Sequence, residues 1–482
     1  MNIGILRFIL GRLLIVTGTL LLLPAAVGAI YGESDGLIFL IMALITALLG
    51  GLLARRKPKT REFYAREGFV ATSLSWILMS LVGALPFTLS GVCPSYIDAL
   101  FETVSGFTTT GGSILTSLDG ISYCVHFWRC FTHWIGGMGV LVFILAILPM
   151  ADGYGMHLMR AESPGPKASK LVPKLGSTAK ILYVIYMIIT VLEILALFFT
   201  GMPVFDCFTI TFSTVGTGGF ALTGEGVAAY STASQIVITV FMIVCSINFN
   251  AYFLLFIGRS AKAFKLEEVR AYLLMVFGAA AMIAVNLVMC GTFTNPFEAF
   301  HHALFNVSSI SSTTGFASKD FNLWPEFSRS VLMILCMIGA CAGSTGGGFK
   351  VSRLLILLKS ARNEIVYVIH RKSVRRVHMD GKSIEEQTVK SVAAYAVLYF
   401  AIFVVSFLMV SADGFDFSTN LTSVAATLNN VGPGLNMVGP AGNYAQFSVL
   451  SKLVFIFNML AGRLEILPML ILFRPSTWRK NS

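Results

Sequence analysis

Four short stretches of this 482-residue chain hold the residues best suited to chemistry, and glycine closes each of them. The first, Ala99-Leu-Phe-Glu-Thr-Val-Ser-Gly-Phe-Thr-Thr-Thr-Gly111, returns closely as Ala303-Leu-Phe-Asn-Val-Ser-Ser-Ile-Ser-Ser-Thr-Thr-Gly315. Looser versions stand at Ser213-Thr-Val-Gly-Thr-Gly-Gly219 and Leu428-Asn-Asn-Val-Gly-Pro-Gly434. Recurrence at roughly a hundred residues marks an internal repeat. A cation stripped of its water needs a cage of oxygens, which inward-facing backbone carbonyls can supply. Such a loop needs dihedrals that glycine adopts without strain, and short hydroxyl side chains add oxygens without filling the opening. The candidate ion-contacting residues are therefore Thr109, Thr110 and Gly111; Thr217, Gly218 and Gly219; Thr313, Thr314 and Gly315; and Asn430, Val431 and Gly432, where an amide replaces the hydroxyls. The second repeat leaves two registers open. Thr214-Val-Gly-Thr-Gly218 nominates Gly216. The 13-residue spacing shared by Asp98 to Gly111 and Asp206 to Gly219, with the Gly-Phe ending shared with Gly315-Phe316, nominates Gly219.

The elements that must hold these stretches are membrane spans. Apolar runs long enough to cross a bilayer, about 20 residues, lie near 4–30, 36–54, 68–92, 127–149, 179–200, 234–258, 271–291, 328–358, 388–411 and 445–472. Between them, 97–110, 204–218, 297–314 and 416–430 are apolar but too short to cross, the pattern of re-entrant segments. The expected fold is all-α and polytopic: two N-terminal helices at 1–60, then span–loop–span units at 61–150, 151–265, 266–385 and 386–482, in pseudo-fourfold arrangement round one pore. The C-terminal ends of the short helices carry partial negative charge and would favour a cation beneath the loops, with Asp98 and Asp206 at the opposite, N-terminal ends.

Composition agrees. Hydrophobic residues make up 56% and charged residues 12%, at a mean hydropathy of +0.78, which places the chain among membrane proteins. The net charge of +11 sits in short segments between spans, Arg55 to Arg66, Arg160 to Lys180, Arg259 to Arg270, Lys350 to Lys390 and Arg474 to Lys480. That is the distribution of cytoplasmic loops rather than a nucleic-acid surface. With both termini inside, the segments holding the four repeats face outward and carry mostly acids. The run after Arg7 and Arg12 is long enough to be an uncleaved anchor. Residues 359–388, with Arg371-Lys-Ser-Val-Arg-Arg376, form a polar stretch that suits lipid headgroups or a docking cytosolic partner. The eight cysteines show no CxxC pair and mostly lie in apolar runs, as small buried hydrophobes do; a Cys93–Cys124 bridge on the outer side stays open.

Two constellations suit a gate. The eighth span contains Gly339-Ala-Cys-Ala-Gly-Ser-Thr-Gly-Gly-Gly348, then Phe349 and Lys350. Its spacing resembles a phosphate-binding loop, but Phe follows Gly348 and no strand precedes it, so nucleotide binding is not expected. So many glycines should break the helix, and Gly343, Ser344, Thr345, Gly346, Gly347, Gly348 and Lys350 are gate candidates. Arg463, in Asn458-Met-Leu-Ala-Gly-Arg-Leu-Glu-Ile466, is the other. It can donate to carbonyls of the glycine loop or, with Glu465, snorkel to the cytoplasmic face. Gly136-Gly-Met-Gly139 reads as helix packing, Asn248 and Asn250 as interhelical or cavity-lining, and His301 and His302 as structural. No cluster of acids, histidines or nucleophiles suggests an enzyme.

Phe101-Glu-Thr-Val-Ser-Gly-Phe-Thr-Thr-Thr-Gly111, Ala342-Gly-Ser-Thr-Gly-Gly-Gly348 and Gly462-Arg-Leu-Glu465, set in four span–loop–span units, resemble the Trk/Ktr/HKT superfamily of cation transporters. The two extra N-terminal spans and Asn429-Asn-Val-Gly-Pro-Gly434 are most similar to its bacterial Trk potassium-uptake branch. The resemblance implies K⁺ as the transported ion and no organic cofactor. It implies a homodimer in the inner membrane of a bacterium, with one pore per protomer and a cytosolic ring of NAD- or ATP-binding regulatory subunits. It further implies that the loop at 342–348 obstructs the pore with support from Arg463. Some relatives with Ser at the first filter position pass Na⁺, so Gly111 favours K⁺. Val-Gly-Thr-Gly-Gly in the second repeat departs from the usual wording. Flux coupled to Na⁺ or H⁺, as in a secondary transporter, is the alternative.

Overall fold

Long apolar runs with few breakers become long helices once backbone polar groups must be satisfied within the segment. The computed structural model describes residues 1–56, 64–139, 175–256, 263, 265–371 and 375–478. Residues 140–149 of the expected fourth span, most of the basic segment 160–180, and parts of 55–66, 259–270 and 371–376 lie outside the described residues. Six described helices are long and apolar enough to cross a membrane. The chain is an all-α membrane protein. The one sheet among the described residues is a hairpin of β1 (His378–Met379) and β2 (Lys382–Ser383).

Helices α1 (Ile3–Tyr31) and α2 (Asp35–Ala54) form an antiparallel pair. Small residues let their backbones meet: a Cβ on Gly11 would lie 2.8 Å from the Gly50 carbonyl oxygen, and one on Gly28 2.5 Å from the Gly36 Cα. Between helices in lipid such packing replaces a hydrophobic drive. The pair is docked on the next unit by acids in its turn. Glu33 accepts the amides of Tyr123 (2.6 Å) and Cys124 (2.9 Å), and Asp35 accepts the Ser122 hydroxyl (2.7 Å). These partners satisfy the open N-terminus of a following helix.

Four units then follow one plan. The first has α3 (Ala65–Leu89), α4 (Tyr96–Phe107) and α5 (Tyr123–Gly137). The second has α6 (Leu175–Phe199), α7 (Val204–Val215), α8 (Thr232–Ser246) and α9 (Phe249–Phe256). The third has α10 (Glu267–Met289), α11 (Pro296–Ser311), α12 (Glu326–Ile338) and α13 (Val351–Ile369). The fourth has α14 (Glu386–Val410), α15 (Phe417–Leu428), α16 (Val449–Arg463) and α17 (Leu467–Phe473), with α18 (Pro475–Trp478) beyond. In each, a long helix leads to a short one, a loop and a returning helix of 13 or 15 residues. At 1.5 Å per residue a 15-residue helix covers only about 22 Å.

The returning helices correct two expectations. Unbroken spans were expected near 234–258 and 445–472; instead α8 and α9 meet at 94°, and α16 stops at left-handed Glu465 and Ile466. The expected break in 328–358 falls at Gly339, with α12 before it and α13 after it. The eight cysteines are free thiols, so no bridge joins Cys93 and Cys124.

Candidate functional site

Each short helix stops four residues before its loop glycine: Phe107 before Gly111, Val215 before Gly219, Ser311 before Gly315, Leu428 before Gly432. Their first turns carry Asp98, Asp206 and Glu298, and Asp416 caps the fourth, charges that suit a helix N-terminus. The backbone beyond follows one course four times. Thr109, Thr217, Thr313 and Asn430 are left-handed at φ 56°, 56°, 61° and 55°, and the glycines two residues on at 76°, 81°, 85° and 91°. Threonine is an outlier there, and such strain persists only where the surroundings impose it. In every loop two amides turn back on the helix end: Thr109 to Gly106 (3.1 Å) and Thr110 to Ser105 (2.9 Å), with the same pairs at Thr217 and Gly218, Thr313 and Thr314, and Asn430 and Val431. Gly219, not Gly216, holds the second loop's left-handed position; Gly216 is the right-handed cap of α7 at φ −70°.

The loops interlock in a closed ring. A Cβ on Gly111 would strike the Gly218 carbonyl oxygen, on Gly219 that of Thr314, on Gly315 that of Val431, and on Gly432 that of Thr110. The side chains of Thr109, Thr110, Thr217, Thr313, Thr314, Asn430 and Val431 are all buried. The carbonyls of these residues and of Gly218 accept no hydrogen bond among the described residues. Buried carbonyls are ordinarily paired; these eight, two from each loop, are not. The four glycines line one cavity of about 430 Å³, rimmed by Asp119, Glu225, Lys319 and Asp320.

Behind the ring stand residues that the sequence reading left unassigned. Glu102, buried in α4, pairs with Arg129 of α5 (2.5 Å) and accepts the Ile114 amide (2.9 Å); Arg129 reaches on to the Ala221 carbonyl (2.8 Å) and lies over the Phe220 ring. Tyr444 donates its hydroxyl to the Gly432 carbonyl (2.7 Å) and its amide to Ser113 (2.9 Å). The imidazole of His133 stacks on Phe220 and fills the space a side chain at Gly218 would need.

The glycine run of the eighth span is a loop directly against the ring. The Gly347 amide donates to the Thr313 hydroxyl (2.6 Å), and a Cβ on Gly346 or Gly347 would press on the carbonyls of Ser312 or Asn429, each at 2.7 Å. The loop also fills the bend between α8 and α9: Cys341 donates to the Ser246 carbonyl (3.2 Å), Phe249 to that of Gly343 (3.0 Å), and the Thr345 hydroxyl to that of Cys245 (3.1 Å). Ser344 and Gly348 sit in the same loop, Ser344 bonded to the Cys341 carbonyl (2.6 Å) and Gly348 left-handed at φ 83°. Lys350 is buried, itself at φ 85°, with its ammonium on the Gly346 carbonyl. Arg463 does not snorkel. It donates to Thr345 (2.7 Å) in the loop and to Gly136 and Gly137 (2.8 Å to the latter). Glu465 pairs with Arg353, which lies over Tyr395. Gly136 and Gly137 do pack closely, against Phe107 and Gly216, and their carbonyls hold the arginine as well.

Asn248 accepts the Asn250 amide (2.9 Å), while His301 bonds Gln235 and His302 bonds Ser318.

The TrkH family model, described as cation transport protein, matches residues 36–480. The chain belongs to this family. It is similar to the Trk system potassium uptake protein TrkH of Salmonella typhimurium, 36% identical over 478 residues with 98% of each chain covered. A protein of the same name from Halomonas elongata is 33% identical over the whole of both chains. The crystal structure of the potassium transporter TrkH from Vibrio parahaemolyticus aligns with a TM-score of 0.89 at 33% identity, covering 99% of this chain and 100% of that one. The TrkH family is one of transporters rather than enzymes. Within this TrkH-family chain, Glu102 and Arg129 carried a sequence signal: ionisable residues near or within spans call for partners. Tyr444 and His133 carried none, since their roles depend on rings brought together from distant loops.

Proposed function

We propose that this chain takes up potassium ions across the bacterial cytoplasmic membrane through a gated, channel-like pore. Its four glycine loops act as the selectivity filter. The observation that carries this reading is the closed ring of eight buried, unpaired carbonyls, which an ion shed of its water would satisfy. The printed names of the relatives, potassium uptake proteins, point to the same cargo. In this reading the units at 61–150, 151–265, 266–385 and 386–482 each supply one quarter of the filter, and the loop at 342–348, pinned by Arg463, closes the path beneath it. Both termini are cytoplasmic, two protomers associate with a pore in each, and a cytosolic ring of nucleotide-binding subunits controls the loop.

The test is rubidium uptake in potassium-starved cells, with Na⁺ as competitor. Wild type should take up Rb⁺ with little effect of Na⁺. Gly111→Ser places a side chain against the Gly218 carbonyl and should reduce the preference for K⁺ over Na⁺ about tenfold, the equivalent of 1.4 kcal/mol. Unchanged selectivity would remove the filter assignment.

A further inference from the structure

The glycine loop is tied to a surface it does not touch. The first amides of a helix lack intrahelical partners, and two such N-termini lie together at the start of α10. Leu266, the N-cap of α10, offers no side-chain cap. The Glu267 amide instead donates to the Asp380 carboxylate (2.8 Å), which reaches it from the tip of the β1–β2 hairpin. The next residue, Glu268, is buried. One of its carboxylate oxygens accepts the amide of Ala342, where the glycine loop begins (2.6 Å), and that of Ser352, in the first turn of α13 where the loop has ended (3.1 Å). A third tie closes the unit: the ammonium of Lys359 on α13 bridges the Glu267 carboxylate and the His378 carbonyl (2.8 Å to the latter).

We propose that the hairpin at 377–384 is the handle through which a cytosolic partner moves the glycine loop, with Asp380 positioning the start of α10 and Glu268 holding both ends of the loop. The inference rests on reading that loop as the gate. The hairpin suits a handle. Val377 anchors it by its buried side chain, while Gly381, Lys382 and Ser383 are exposed, and the Asp380-Gly381 turn is left-handed at both residues (φ 53° and 74°), as a tight two-residue hairpin requires. A partner that lifts the hairpin removes the cap from α10 and shifts Glu268, and the two loop ends lose their shared acceptor together. The partner this fits is a protein that docks on the cytoplasmic face against the exposed Gly381, Lys382 and Ser383.

Hydrogen exchange on the purified full-length protein tests the tie without relying on flux. Asp380→Ala should speed exchange at 266–270 and, through Glu268, at 340–353, by about fivefold, as loss of a helix cap implies. Asp380→Asn keeps the cap and should leave both stretches near wild type; Lys359→Met should repeat the effect of Asp380→Ala more weakly. Faster exchange confined to 266–270 would overturn the proposal. In cells, Asp380→Ala should make Rb⁺ uptake insensitive to deletion of the cytosolic partner, and retained sensitivity would overturn it equally. Deleting 342–348 in the same assay separates the two readings. If uptake without the partner fails to rise, the gate assignment falls; if it rises while Asp380→Ala behaves as wild type, only the handle falls.

Discussion

Gly218 stands where the first and third loops carry Thr110 and Thr314 and the fourth carries Val431. Its conformation does not demand glycine, since the left-handed positions are Thr217 and Gly219 on either side. What demands it is His133, whose ring occupies the volume a Cβ would take, stacked on Phe220 with Nδ1 at 3.3 Å from the Ser213 hydroxyl. The odd wording of the second repeat is thus the imprint of one imidazole from the first. Gly218→Thr alone overpacks the site and should cost about 1–3 kcal/mol, read as a lower melting temperature in detergent and as lost Rb⁺ uptake. His133→Ala combined with Gly218→Thr makes room for the new side chain and should recover most of both. A double variant no better than Gly218→Thr would mean that the imidazole is not what excludes a side chain.

At the scale of elements, the returning helices α8, α12 and α16 all end short, and one loop explains two of the stops. The glycine loop between α12 and α13 fills the bend after Ser246 and takes Arg463 at the end of α16. The short helices and their loops were legible because an apolar run too short to cross a bilayer, closed by small polar residues and glycine, leaves a local mark, as 97–111 does. The breaks after Ser246 and Arg463 were not, because neither Ser246-Ile247 nor Leu464-Glu465-Ile466 holds a glycine or proline to mark a stop, and what stops the helix at Ser246 is a hydrogen bond from Cys341, far along the chain. Arg463 joins two such elements, bonding Thr345 on one side and Gly136 and Gly137 on the other, a task for a planar fork rather than a point charge. Arg463→Lys keeps the charge but not the span. Each hydrogen bond from a charged group contributes about 1.5–3 kcal/mol, so partner-independent Rb⁺ uptake should rise tenfold or more in Arg463→Lys, and not much further in Arg463→Ala. If Lys behaves as wild type, charge in the path matters and the bridge does not.

Across the whole molecule, a fourfold ring made from one chain has a seam where the first and last quarters meet. Side chains and loops close it: Asn430 donates to the Thr110 hydroxyl (3.0 Å), the Tyr444 amide to the Ser113 carbonyl (2.9 Å), and the Lys452 ammonium to the Asp98 carboxylate (2.7 Å). The two ends of that ion pair are unequally placed, with the Lys452 side chain 9% exposed and that of Asp98 29%. Removing one partner of a buried pair leaves an uncompensated charge, at about 3–5 kcal/mol, whereas an exposed charge left alone costs on the order of 1 kcal/mol or less. Asp98→Asn strands the buried ammonium and should lower thermal stability sharply. Lys452→Met strands only the carboxylate nearer to water and should lower it little. The double variant, with neither charge, should be more stable than Asp98→Asn alone, because the penalty lies in the orphaned lysine. Equal losses from the two single variants, or a double variant that merely sums them, would show that the seam is held by its backbone and amide contacts and that the ion pair across it adds nothing.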